Sequence, residues 1–263
     1  MVLWCSYCQR YLGEKEPFDD LAITHGMCDD CLASDMSSSK GGIARGKELR
    51  GFYAEIAEKA LSGRPLDCPS VIAAGRQQAI QDDDLLMGIV QPILYRVGQE
   101  YAAGRLSIAT EHAFTIFVEE LLHALGPVQR PDPILAHEQP VQTLLVSAEG
   151  NYHSLGLRFV NLFIGRRTPS VLAIYPGLPA EEIAQLVTIY HPRNLGVSIC
   201  MPQQLPEIRK IHAALADLSP DLQPQQTVIG GQAVRDEVLG QLPRGFIAAP
   251  RDYKGILSIF RAA

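Results

Sequence analysis

Apolar residues recur at helical spacing between about residues 46 and 125. Because an apolar stripe at intervals of three and four residues marks the buried face of a helix, this segment predicts an all-helical region. Four helices are predicted, over residues 52–61, 71–80, 86–101 and 108–125. The short connections between them favour a four-helix bundle.

Three local features refine these helices. Three aspartates at residues 82–84 precede the third stripe, where carboxylates complement the positive end of a helix. Pro92 lies inside that stripe and predicts a kink or an early break, since proline removes a backbone hydrogen bond. The pair Gly126-Pro127 is a typical stop signal for the fourth helix.

The pattern changes after residue 140, where short apolar runs alternate with helical stretches of about ten to fifteen residues. The five runs are Thr143–Val146, Ser170–Ile174, Gly196–Cys200, Thr227–Ile229 and Gly245–Ala248. Nearly continuous apolar strands separated by helices indicate a parallel sheet that is covered on both faces. The sequence therefore predicts an α/β protein whose C-terminal part is a flavodoxin-like (Rossmann-type) domain.

Composition narrows the functional classes. The chain has 263 residues, 47% of them hydrophobic, and a formal net charge of −6. No apolar run approaches the roughly 18 residues that cross a bilayer, and the N-terminus lacks the basic and apolar regions of a secretory signal. An acidic chain without a basic block is not expected to bind nucleic acid directly. We expect a cytoplasmic protein without a membrane partner.

Four of the six cysteines form two pairs near the N-terminus, Cys5-x2-Cys8 and Cys28-x2-Cys31. Two such pairs are typical of tetrahedral Zn²⁺ coordination by thiolates, with a redox dithiol as the alternative. Four thiolates leave no open position for a catalytic water, so the Zn²⁺ is expected to be structural. This segment resembles treble-clef-like or ribbon-like zinc modules of bacterial signalling proteins, and His25 is an alternative ligand.

Two segments of biased composition divide the chain. Residues 34–44 are rich in Ser and Gly, and residues 126–140 contain four prolines, so both are expected to be linkers. The predicted organisation is a four-cysteine zinc module at 1–33, a helical bundle at 45–126 and the flavodoxin-like domain at 140–263.

The loop after the first predicted strand of that domain carries a recognisable motif. Asn151-x-His153-x-x-Gly156 resembles the DxHxxG signature of cobalamin-binding domains. Ser198-Ile-Cys200 follows after 41 residues at the position of the family's SxL, and Gly230-Gly231 follows after 29 more at the position of its GG. The resemblance covers residues 140–263 and implies cobalamin as a cofactor.

The resemblance implies a role for each of these residues. His153 would be the lower axial ligand of cobalt and would displace the cofactor's own dimethylbenzimidazole. Ser198 would bind the displaced base, with Cys200 as packing beside it. Three glycines would leave room for the nucleotide tail, namely Gly156, Gly230 and Gly231. The family's aspartate is Asn151 here, which can accept a hydrogen bond from the imidazole but brings no charge.

The helical segment resembles the W-x9-EH element of light-responsive, cobalamin-dependent regulators, in which a bundle caps the upper corrin face. Tyr101 stands at the tryptophan position, and Glu111-His112 follows nine residues later. The resemblance implies that these three residues surround the upper ligand. Ala102 replaces the histidine that captures cobalt in those regulators, and a zinc module stands where they carry a winged helix-turn-helix.

Three functions follow as hypotheses. The first is a cobalamin-binding sensor, including a B12-dependent photoreceptor, that signals to an unidentified protein such as a transcription regulator or kinase. The alternative is a corrinoid methyl-carrier protein of a methyltransferase system, with methylcobalamin rather than adenosylcobalamin as its cofactor. An interaction protein with a vestigial pocket is a third interpretation. The sequence favours a non-enzymatic role and leaves homo-oligomerisation open.

Overall fold

The structure is a computed structural model that describes residues 1–34, 41–126, 141–167, 170–235, 242–250 and 253–260. The chain divides into two compact units, Met1–Gly126 and Pro127–Ala263. Most of the predicted linkers, residues 35–40 and 127–140, lies outside the described residues. The first linker was predicted too long, because residues 41–44 belong to a helix. Ser and Gly content predicted flexibility there, but it carries no signal of where the helix begins.

The N-terminal unit begins with a small three-stranded sheet. Strand β1 (Val2–Cys5) pairs antiparallel with β2 (Tyr11–Glu14) and parallel with β3 (Ile23–Gly26). The short helix α1 (Asp29–Ala33) follows. Trp4 of β1 is fully buried and packs edge-on against Tyr11 of β2, with 5.9 Å between the ring centroids. These rings form the inner face of the sheet.

Helical segments complete this unit. They are α2 (Gly41–Ser62), α3 (Cys68–Gln77), α4 (Asp82–Leu85), a π-helix (Leu86–Val90), α5 (Gln91–Ala102) and α6 (Ile108–Leu125). Asp67 caps α3 and Ser107 caps α6, each by accepting a backbone N–H in the first turn.

Of the kink or early break predicted at Pro92, the structure shows no break. Pro92 lies in the first turn of α5, where proline is tolerated, and the backbone runs from α4 through the π-helix into α5 with helical dihedral angles. The irregularity is the π-helix one turn earlier. The proline therefore adjusts the hydrogen-bond pattern without ending the helix.

The C-terminal unit contains the predicted five-stranded parallel sheet, in the order β5-β4-β6-β7-β8. Its strands are β4 (Thr143–Ala148), β5 (Val171–Leu178), β6 (Asn194–Ser198), β7 (Gln226–Gly230) and β8 (Phe246–Ala248). The helices between them are α7 (Leu155–Gly165), α8 (Ala180–Tyr190), α9 (Leu205–Ala216) with a 3₁₀ turn (Pro202–Gln204) before it, α10 (Gln232–Arg235) and α11 (Tyr253–Ile259).

The strand order places a topological switch point between β4 and β6. Every residue of these two strands is buried, whereas the edge strand β5 is only partly covered. The chain leaves β4 toward β5 on one side and reaches β6 on the other, so the loops after β4 and β6 diverge at the carboxyl edge. Ligands of doubly wound sheets bind at this place.

In the part of the chain that the structure describes, no helix combines the length and apolar character needed to span a membrane.

Candidate functional site

The loop after β4 is organised by one buried amide. Asn151 is fully buried, and its Nδ2 donates to the carbonyl oxygen of Ser198 at 2.9 Å and to the Ser198 Oγ at 3.2 Å. Its Oδ1 accepts the backbone N–H of His153 at 3.1 Å. A carbonyl can only accept and an N–H can only donate, so these partners fix the orientation of the amide. Asn151 thus joins the loop to the end of β6.

His153 projects from this loop. It is exposed, as is Tyr152 before it, which retains 78% of its accessible surface. The turn that presents them begins at Gly150, whose φ of +74° lies in the region that favours glycine. The sequence predicted a contact between Asn151 and the imidazole, but the side-chain oxygen binds the backbone of His153. In this structure Asn151 therefore holds the backbone of His153.

Ser198 lies at the end of β6, directly across from β4, and is 5% exposed. Its hydroxyl oxygen accepts a hydrogen bond from Asn151, which leaves the hydroxyl proton available to donate. The Cys200 Sγ lies 3.9 Å from the Ser198 Oγ. The predicted pair Ser198 and Cys200 therefore lies next to Asn151 at the switch point.

The two glycines after β7 have different environments. Gly231 has a φ of +103°, and a Cβ built there would lie 2.3 Å from the carbonyl oxygen of Ile199. At Gly230 the nearest atom to a built Cβ is the Cβ of Ala249, at an ordinary 3.5 Å. Gly231 therefore packs closely against the loop after β6, whereas Gly230 has room for a side-chain carbon.

Gly156 in the first turn of α7 faces open space. It is exposed, and no atom outside its immediate neighbours lies within 4 Å of a Cβ built there. The surface at the start of α7 is therefore open at Gly156.

Gln204 also belongs to this site, although no sequence motif indicates it. It is 6% exposed and connects the loops after β4 and β6 through its side-chain amide. A glutamine three residues after a helix start is half of a capping-box pattern, but the start here is Met201 rather than Ser or Thr. The usual sequence signal is therefore absent.

The four N-terminal cysteines converge in the other unit. Their sulfur atoms all lie within 4.8 Å of one another, and the Cys8 and Cys28 sulfurs are 3.6 Å apart. Tetrahedral Zn²⁺ with Zn–S bonds of about 2.3 Å requires S–S separations of about 3.8 Å. Cys5 and Cys8 flank the turn after β1, whereas Cys28 and Cys31 lie at the start of α1. This four-cysteine cluster can therefore hold a metal ion, and His25 is not part of it.

Three thiols of the cluster have shifted pKa values, and the shifts differ in direction. Burial opposes ionisation of Cys5, but hydrogen bonds from the backbone of Cys8, Cys28 and Tyr7 outweigh it and lower its pKa to about 6. Burial and the neighbouring Cys5 raise the pKa of Cys8 to about 11, and burial also raises the pKa of Cys31. One thiolate therefore forms readily at neutral pH, and a cation would favour ionisation of the others.

The three predicted cap residues flank the connection between α5 and α6. Tyr101 lies near the end of α5 and is 43% exposed. Glu111 and His112 lie near the start of α6 and are hydrogen-bonded to each other, while the second carboxylate oxygen of Glu111 accepts from Thr115 at 3.0 Å. The exposed tyrosine and the acid–imidazole pair are present as surface groups of this unit.

No family model matches the sequence, and no curated protein matches it. The monomethylamine corrinoid protein of Methanosarcina barkeri has a similar structure, with a TM-score of 0.58 and 16% identity over 80% of this chain and 96% of that chain. A cobalamin-binding protein from Desulfitobacterium hafniense matches with a TM-score of 0.40 and 16% identity, over 80% of this chain and 98% of its own. The methanol:cobalamin methyltransferase complex of M. barkeri matches with a TM-score of 0.35 and 15% identity, over 90% of this chain and 99% of that chain. The first likeness shows a shared fold.

Proposed function

We propose that this chain is a cobalamin-binding protein and that His153 is the lower axial ligand of the cobalt. One observation carries the proposal. An exposed imidazole projects from the loop after β4, at the switch point of a five-stranded parallel sheet, beside a buried Asn151–Ser198 pair. Neutral imidazole is a good ligand for cobalt, and this edge is where doubly wound sheets bind ligands.

The residues present fit this cofactor. The open space beside Gly156 leaves room for a nucleotide tail at the start of α7. Ser198 retains a hydroxyl proton that can be donated to a nitrogen of the displaced base, while Asn151 holds the backbone of His153. Bound cobalamin would supply a cobalt atom that carries an organic group on its upper face.

Among the functions that use such a cofactor, we propose a corrinoid methyl-carrier protein of a methyltransferase system. The likeness of fold to the monomethylamine corrinoid protein extends over 80% of this chain and supports this choice. In this role the chain itself binds and orients methylcobalamin, and a separate methyltransferase, as yet unidentified, is its partner.

A cobalamin-dependent sensor is the second candidate, and the helical unit favours it. Tyr101 and the Glu111–His112 pair keep the spacing of the light-responsive regulators, and the sheet that carries part of the four-cysteine cluster packs against the helices. Ala102 cannot ligate cobalt, so a photoproduct ligated from that position is not expected. In this role adenosylcobalamin is the cofactor, and the chain signals to a protein partner.

The lower ligand is tested by loading the protein with cobalamin and reducing it to the cobalt(II) form. The electron paramagnetic resonance spectrum should show coupling to one axial nitrogen, and incorporation of ¹⁵N-histidine should change that coupling from a triplet to a doublet. His153→Ala should abolish the effect of the label, whereas His123→Ala, at an exposed position of α6, should leave it intact. A wild-type protein that binds no cobalamin contradicts the proposal.

A methyl carrier and a sensor differ in how the upper face of the bound corrin reacts with a methyl donor and in how the protein responds to light. A carrier must expose its cobalt, so the bound cobalt(I) form should be methylated rapidly by methyl iodide, and green light should leave the molecular mass unchanged. A sensor loaded with adenosylcobalamin should change its oligomeric state on illumination. Light scattering measures this change as a change in the molecular mass of the particle in solution. A light-dependent change in mass would therefore replace the first candidate by the second.

A further inference from the structure

The loops after β4 and β6 are joined by two buried amides that act in opposite directions. Asn151, in the loop after β4, donates to Ser198 at the end of β6. Gln204, in the 3₁₀ turn after β6, donates from Nε2 to the carbonyl oxygen of Gly150 at 2.8 Å. We call Asn151 and Gln204 the amide pair. The pair closes a ring of hydrogen bonds between the two sides of the switch point.

Every polar atom of the Gln204 side chain is used. Its Oε1 accepts the backbone N–H groups of Cys200 at 2.9 Å and Met201 at 3.0 Å, while its Nε2 binds Gly150. These partners admit one orientation of the amide only. Gln204 is 6% exposed, and removing its side chain would take away the hydrogen-bond partner of three backbone groups at once.

The atom that Gln204 holds is close to the proposed ligand. Gly150 immediately precedes Asn151 and supplies the turn from which His153 projects. Gly150 and Gln204 also line an open cavity of about 520 Å³ at the carboxyl edge of the sheet. A change at the Gly150 carbonyl therefore alters the path of the loop that carries the imidazole.

We propose that Gln204 is a positioning residue that holds the His153 loop in the geometry needed to ligate cobalt. The inference rests on the proposed function, since it assigns Gln204 a role in the same site. A metal–ligand bond tolerates little displacement, and a loop that is already ordered loses less entropy on binding. The amide pair therefore preorganises the lower ligand.

One substitution separates this role from simple helix capping. Gln204→Glu keeps an acceptor for the N–H groups of Cys200 and Met201 but replaces the donor to Gly150 by a carboxylate oxygen. Gln203→Glu is the matched control, because it adds the same charge at the neighbouring exposed residue. Two measurements are made on the full chain: hydrogen exchange of the cofactor-free protein, and the spectrum of the cobalamin-loaded protein as a function of pH.

For Gln204→Glu we expect the backbone N–H groups of Asn151 and His153 to exchange about tenfold faster. In the loaded protein, imidazole should leave cobalt at a pH about one unit higher than in the wild type. Gln203→Glu should match the wild type in both measurements. Unchanged exchange in Gln204→Glu overturns the proposal, and faster exchange with an unchanged midpoint reduces Gln204 to a structural cap, which also overturns it.

Failure of the proposed function has a different signature. If the wild-type protein binds no cobalamin, the role in ligation falls with the function, while hydrogen exchange still decides whether Gln204 holds the loop.

Discussion

The indole ring of Trp4 lies directly against the backbone of Gly88. A Cβ built at residue 88 would lie 2.2 Å from the Trp4 Cζ2 and 2.9 Å from the Tyr11 Cδ2. Trp4 immediately precedes Cys5 in β1, and Gly88 is the central residue of the π-helix. Strand β1 and the π-helix therefore pack so closely that not even a methyl group fits between Trp4 and residue 88.

Gly88→Ala should lower the free energy of unfolding of the N-terminal unit by about 2 kcal/mol. Overpacking a core costs about 1–3 kcal/mol, and a contact of this length places the cost at the upper end; the better helix propensity of alanine returns up to about 1 kcal/mol. Urea unfolding is followed by the fluorescence of Trp4, the only tryptophan of the chain.

Gly51→Ala is the control for helix propensity, because a Cβ at this exposed position in α2 meets nothing within 4 Å. It should be neutral or stabilising by up to about 1 kcal/mol. Equal stability of the two variants would contradict the tight contact between Trp4 and Gly88.

The glycine pair after β7 should respond asymmetrically to substitution. Gly231→Ala places a Cβ against the Ile199 backbone at a positive φ, so we expect a loss of about 3 kcal/mol or more. Gly230→Ala meets only an ordinary contact and should cost less than about 1 kcal/mol. Thermal unfolding monitored by circular dichroism compares the two variants. Similar losses of stability would contradict the prediction that only Gly231 makes a close contact.

Strong periodic signals made the fold predictable. The α6 stripe begins after a serine cap and ends at Gly126, so its predicted bounds match Ile108–Leu125. The five apolar runs became five parallel strands because strands buried on both faces leave an uninterrupted apolar signature. The π-helix before Pro92 escaped prediction, since hydrogen-bond slippage within a helix does not change which residues are apolar.

The site was predictable only as far as its motif. The signature residues lie on one edge of the sheet, but their contacts depend on partners that are distant in sequence. Asn151 turns toward Ser198 because its amide can donate to a carbonyl, which an ionised aspartate at this position could not do. Gln204 carries no motif, and the contact of Trp4 with Gly88 joins residues 84 positions apart. Pairwise tertiary contacts of this kind leave no local periodicity.

Metal removal should destabilise the N-terminal unit. We expect one Zn²⁺ per chain, measured by plasma mass spectrometry, and loss of that ion in Cys31→Ser. Structural zinc in small modules contributes on the order of 10 kcal/mol, so chelation should expose Trp4 and shift its emission to longer wavelength. Cys68→Ser changes a buried cysteine outside the cluster and should retain the metal. A zinc-free wild-type protein with buried Trp4 would contradict the structural role.

His25 should make the N-terminal unit sensitive to acid. Burial, and secondarily the charge of Arg50, lower its pKa in the folded protein. The unfolded chain then binds more protons below about pH 6.5, so stability falls as the pH drops through that range. Between about pH 7.5 and 5.5, His25→Gln should lose less free energy of unfolding than the wild type. Both are measured with zinc in excess, and His123→Gln controls for loss of an exposed imidazole. If the unfolding free energies of the wild type and His25→Gln changed equally with pH, His25 would not be the source of the acid sensitivity.

Restoring the aspartate of the cobalamin-binding signature should destabilise this particular chain. In Asn151→Asp an ionised carboxylate would lie about 2.9 Å from the Ser198 carbonyl oxygen, in place of a hydrogen bond, at a fully buried position. We expect a loss of about 2–3 kcal/mol at neutral pH in the cofactor-free protein. The carboxyl should have a raised pKa when folded, because its protonated form can donate to that carbonyl.

The loss of unfolding free energy in Asn151→Asp should therefore be small below the pKa of about 3.9 that the carboxyl has in the unfolded chain. It should grow as the pH rises through the higher pKa of the folded protein. Gln203→Glu adds the same charge at an exposed position and should show no such profile. Urea unfolding at a series of pH values measures both. A stable Asn151→Asp variant at neutral pH would mean that the loop turns its acid toward the imidazole of His153. Position 151 would then tolerate both arrangements, and the Asn151–Ser198 bond would not be what fixes the loop.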